Sequence, residues 1–67
     1  MRKELLELLE QDPFRPFRII LANGQSYEVR FPRLLGVGQD VVYFYHSKSE
    51  LYSILRLVQI AALDIIE

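Results

Sequence analysis

The single imidazole, His46, is where acid-base, nucleophilic or metal chemistry would have to begin. Ser47 and Ser49 follow it and Asp40 precedes it, so the residue types of a Ser-His-Asp set are present. They fall in neighbouring turn-like segments, with nothing like the strand-turn-helix elbow that exposes a serine nucleophile. His46 therefore reads as a loop or strand-end residue. With no cysteine and one histidine, a transition-metal site would need carboxylates at suitable spacing, and the sequence holds no such cluster. The expectation is no catalytic residue, no metal and no cofactor.

Other motifs carry equally plain readings. Gly36-Val37-Gly38 is a fragment of a glycine-rich loop, but no lysine and no helix follow it to cradle a phosphate. It reads as a bulge followed by a turn. Glu4, Glu7 and Glu10 sit three residues apart on an amphipathic stretch and read as a solvated helix face. Paired carboxylates do acid-base work only where burial shifts a pKa.

Charge is distributed unevenly. Eight Lys and Arg stand against nine Asp and Glu, which excludes the strongly basic footprint of a dedicated nucleic-acid binder. Yet residues 13–33 hold Arg15, Arg18, Arg30 and Arg33 against Glu28 alone, a local balance of +3. Phe14, Phe17, Tyr27 and Phe31 lie among them, and basic residues interleaved with aromatics are what single-strand binders use. The plainer account places the aromatics in the core and the arginines on outward strand positions. Arg15, Arg18, Arg30 and Arg33 are the candidate nucleic-acid contacts.

The elements that would position these residues follow from periodicity. Met1, Leu5, Leu6, Leu8 and Leu9 share one face at helical spacing, giving a helix over about residues 2–11 that Pro13 stops. Pro13-Phe14-Arg15-Pro16 is a stiff connector. Alternation then gives strands over about 16–22 and 25–31, and apolar runs give three more over about 41–46, 51–57 and 61–66. A loop of Ala22, Asn23 and Gly24 sets Phe17 opposite Val29, Ile19 opposite Tyr27 and Arg18 opposite Glu28, keeping apolar and charged faces apart. Gly24 then takes the left-handed position of a type I turn with a bulge. The course of residues 33–40 is open: Leu34, Leu35 and Val37 can continue the second strand after a bend at Pro32, with Gly36 at a bulge, and Gly38-Gln39-Asp40 reads as the next turn. His46 to Glu50 is a polar hairpin loop. Val58-Gln59-Ile60 leaves room only for a single tight turn.

A 67-residue chain is one domain, and one of this size buries only about 60% of its unfolded surface, yet 51% of its residues are apolar. The last two strands are apolar on both faces, more than one buried layer uses. A partner subunit covering Leu51, Ile54, Leu55, Leu57, Leu63 and Ile65 accounts for the surplus and for open strand edges. No apolar run approaches the roughly 20 residues of a membrane helix, and the start carries no signal-peptide pattern. A cytoplasmic location is expected.

The stretches Pro13-Phe14-Arg15-Pro16-Phe17-Arg18-Ile19 and Asn23-Gly24-Gln25-Ser26-Tyr27-Glu28-Val29, then Pro32 and the closing Ile66-Glu67, resemble a group of small, mostly uncharacterised bacterial proteins. That group implies no activity. More distantly, a helix, five strands and a tight turn before the last are similar to the Sm-like family, whose first-hairpin glycine is matched by Gly24. The resemblance implies an SH3-like or Sm-like small barrel, and rings in which the fourth strand of one subunit pairs with the fifth of its neighbour. It also implies RNA at loops facing the ring lumen. The family's Asp and Asn after the second strand have no equivalents between Phe31 and Val41, and its Arg-Gly segment is replaced by Leu57-Val58-Gln59-Ile60. The resemblance therefore implies the family's architecture without its usual RNA site.

The sequence thus reads as a single α+β, mostly β domain. The expected function is a non-enzymatic homo-oligomeric assembly or binding module. An RNA- or single-stranded-DNA-binding ring is one alternative, and a protein-partner subunit binding through a strand edge is another.

Overall fold

The structure is a computed structural model that describes residues 1–66; Glu67, the last residue of the expected closing motif, lies outside the described residues. Helix α1 spans Arg2–Leu9 and ends short of the expected residue 11, with Glu10 as its C-cap. Its leucine face turns inward, and Leu5 is fully buried. One turn before Leu5, Arg2 Nε donates a 2.9 Å hydrogen bond to the Gly38 carbonyl, tying the helix to the turn before the fourth strand.

Six strands follow where five were expected: β1 Phe17–Leu21, β2 Ser26–Val29, β3 Leu35–Val37, β4 Val41–His46, β5 Leu51–Arg56 and β6 Ile60–Ile65. They form two antiparallel sheets of three strands, ordered β2-β1-β6 and β3-β4-β5. The sheets are separate ladders, so the single closed barrel of the sequence reading is not what the backbone pairing describes. The α+β, mostly β class stands.

The first hairpin adopts the expected register. Phe17 faces Val29, Arg18 faces Glu28 and Ile19 faces Tyr27. Gly24 has φ +92°, and its N–H donates to the Leu21 carbonyl at 2.9 Å. Asn23 Oδ1 accepts the Gln25 N–H at 2.9 Å, the local bond that makes asparagine a turn residue.

Residues 33–40 resolve into a corner rather than a continuation of the second strand. Phe31 is extended, Pro32–Leu34 makes one 3₁₀ turn, and the chain enters β3 in the other sheet. Proline suits the start of such a turn because its φ is already fixed there and its missing N–H would have had no partner. Gly36 pairs with Tyr43 in an unbroken ladder, so the expected bulge is not at Gly36. The irregularity lies instead between Ile20 and Leu21, against β6. A second 3₁₀ turn, Leu57–Gln59, is the tight connection expected before the last strand, and it returns the chain to the first sheet.

The core draws alternate residues from both sheets. Phe17, Ile19, Leu21 and Val29 come from the first; Leu35, Val42, Phe44 and Leu55 come from the second; Leu5 and Ile60 complete it. β4 lies at the centre of its sheet, with Val42 and Phe44 inward and Tyr43 exposed on the outer face.

Candidate functional site

Two surfaces stand out, one apolar and one cationic. The apolar surface follows the outer edges of the sheets. β5 pairs only with β4, and β6 only with β1, so each leaves one row of backbone N–H and C=O groups unpaired. Beside these edges Leu51, Tyr52, Ile54, Val58 and Ile65 are exposed, Val58 by 89%. Of the residues assigned to an interface from sequence, Leu51, Ile54 and Ile65 are thus available. Leu55 is not: it faces Val42 inside the molecule and belongs to the core. Leu57 and Leu63 are half-buried against that core. Tyr52 and Val58 were missed.

The outer face of the second sheet continues this surface with aromatic rings. Tyr43 lies opposite Ile54 and Tyr45 opposite Tyr52, the last two with ring centroids 5.1 Å apart.

The cationic surface begins at Glu28. Its Oε2 lies 2.9 Å from an Arg30 nitrogen and its Oε1 lies 3.5 Å from an Arg18 nitrogen, so one carboxylate serves two guanidinium groups. Arg33 takes a different course and lies over the Phe31 ring, 4.6 Å from its centroid. The structure brings Arg18, Arg30 and Arg33 towards the Glu28 corner. Arg15 sits apart, exposed on the connector between α1 and β1. Among the four aromatics read as interleaved with these arginines, Phe17 is in the core, and Phe14 and Tyr27 pack against it. Phe31 alone is exposed.

Between the Phe31 corner and the end of β4 runs a groove of about 330 Å³. Glu28, Arg30, Phe31 and Arg33 line it from the β2 end and the corner, and Tyr45, His46 and Lys48 from the end of β4 and the turn after it. Lys48, from the polar turn 47–50, was not among the sequence candidates. Among the described residues neither Arg33 nor Lys48 pairs with a carboxylate.

His46 pairs with a serine other than the two beside it in the sequence. Its Nε2 and the Ser53 Oγ share a 2.6 Å hydrogen bond, and its ring lies edge-on to Phe44 with centroids 4.9 Å apart. Ser47 and Ser49 are exposed in the turn, away from that bond. No carboxylate hydrogen-bonds the imidazole among the described residues, so the pair lacks the third group that orients a catalytic base. Gly36 lies within β3, Gly38 is at a turn, and no helix follows either to present amides to a phosphate. Glu4, Glu7 and Glu10 are all exposed. No group of three or more His, Cys, Asp or Glu is placed to hold a metal ion among the described residues. Nor does any described helix reach the length and apolarity of a membrane span.

No protein-family model, curated protein or solved structure matches this chain.

Proposed function

We propose that the chain is a non-enzymatic assembly and binding module, whose copies associate by pairing the free edge of β5 in one subunit with the free edge of β6 in the next. The observation that carries this reading is the coincidence of open edge and exposed apolar side chain on the same two strands. Both strands are 6 residues long, so their edges can match over their full length. Natural edge strands are ordinarily blunted by lysine, proline or a covering loop. Here Leu51, Tyr52, Ile54 and Ile65 stand beside the edges instead.

Pairing two different edges is a head-to-tail contact, which closes into a ring when the rotation between subunits allows it. The strand order supports an Sm-like reading of that ring. The corner at Pro32–Leu34 joins β2, at one end of the first ladder, to β3, at one end of the second, which leaves β6 and β5 at the far ends of the two ladders. The 3₁₀ turn Leu57–Gln59 between them matches the tight turn of that family.

Sedimentation velocity on edge variants tests the reading. Ile54→Lys and Ile65→Lys place a charge at each proposed contact while leaving the core untouched. Each is expected to convert a discrete oligomer into monomer while far-UV circular dichroism stays unchanged. Oligomers of unaltered mass in both variants would contradict edge pairing.

A further inference from the structure

The groove at the Phe31 corner is independent of the assembly edges, and we infer that it binds a nucleotide, with the base against Phe31 or Tyr45 and the phosphate held by Arg33 and Lys48. Three features of the groove carry the inference together.

Its charge is selective. Glu28 and Arg30 both line it and are paired at 2.9 Å, which leaves Arg33 and Lys48 as the lining cations with no carboxylate partner among the described residues. An anion in the groove gains charge-assisted hydrogen bonds from these two groups. Its walls are aromatic as well as cationic. Phe31 is 50% exposed although it is a large apolar side chain, and the Arg33 guanidinium lies over its ring. A flat guanidinium or an exposed ring is a stacking platform for a base. Its volume of about 330 Å³ lies at the lower end of small-ligand sites, which suits one nucleotide rather than a larger ligand.

Arg33 and Tyr45 also line a neighbouring depression of about 400 Å³ whose other walls include Tyr43 and Tyr52. That places a second aromatic station one step from the first, with Arg33 shared between them. The same chemistry is therefore open to a free nucleotide or to consecutive nucleotides of a single strand.

Isothermal titration and amide-shift mapping of the full chain with AMP test the inference, with adenosine and inorganic phosphate as the two halves of the ligand. AMP is expected to shift amides at Phe31, Arg33, Tyr45 and Lys48, and to bind at least about tenfold tighter than either half. Arg33→Ala and Lys48→Ala should each weaken it about tenfold, the loss of one charge-assisted contact, and Arg15→Ala should leave it unchanged. Affinity for a short adenylate oligomer well above that for AMP assigns the groove to single strands; equal affinity assigns it to free nucleotides. Inorganic phosphate binding as well as AMP would overturn the inference by showing a plain anion patch. So would the absence of AMP binding, or binding that survives both substitutions. Monitoring mass throughout separates a failure here from a failure of edge assembly, because neither substitution touches β5 or β6.

Discussion

Leu5, Phe17, Ile19, Val29 and Val42 have no solvent-accessible surface, so each one's truncation opens a void that nothing nearby is free to fill. Phe17→Ala is expected to cost about 3–5 kcal/mol. A single core in a domain this small rarely supplies more than about 3–5 kcal/mol, so the variant's urea midpoint should collapse towards zero; a midpoint close to the wild type would show that the core is not packed around Phe17. Gly24 tests a different physical cause. Nothing lies within 4 Å of a Cβ built there, so steric contact does not penalise a side chain. The φ of +92° does. Gly24→Ala should therefore destabilise by about 1 kcal/mol or somewhat more, read by the same denaturation. An unchanged midpoint would mean that the turn relaxes to another type. His46 shows how far residue types lead without register. The pair it makes, with Ser53, sits across the β4–β5 hairpin, and the nearer Ser47 and Ser49 are the wrong serines. A turn of residues 47–50 sets His46 opposite Leu51 and Phe44 opposite Ser53, which puts His46 and Ser53 diagonally on one face. The turn length was legible; its consequence for His46 went undrawn.

At the scale of elements, legibility follows chemical contrast. The β1–β2 register could be read because charged and apolar residues alternate through Arg18, Ile19, Tyr27 and Glu28, so a slip of one residue would invert both faces. The segment Arg33 to Val37 has no such contrast. Leu34, Leu35 and Val37 are apolar on either phase, and the choice between bent strand and corner depends on which sheet receives them. β5 poses the same difficulty. Leu51, Tyr52, Ile54 and Leu55 all read as buriable, and only pairing with β4 shows that Leu55 turns inward while Tyr52 and Ile54 turn outward. The 3₁₀ turn between β5 and β6 makes the sharpest test of what the outward residues are for. Val58 is 89% exposed on it and contributes nothing to the core. Val58→Ser should leave the stability of the isolated subunit within about 0.5 kcal/mol, as surface substitutions do. If the turn lies against a neighbour, the same change should raise the dissociation constant several-fold in a dilution series followed by sedimentation. An unaltered dissociation constant would place Val58 outside the contact.

For the whole molecule, the account rests on a mismatch between size and composition. Half the residues are apolar; the described core and the side chains packed against it take up many of them, yet Leu51, Tyr52, Ile54, Val58 and Ile65 stand exposed beside the edges and Tyr43 on the outer face. On the proposed reading, a second copy of the chain covers that surface. The most direct test is the native mass of the freshly purified chain by light scattering, across about two decades of concentration. The account predicts a fixed multiple of the 7.9 kDa subunit that persists on dilution and in moderate salt. A species of 7.9 kDa throughout that range would contradict it, leaving the exposed side chains of β5 and β6 without the role assigned to them here.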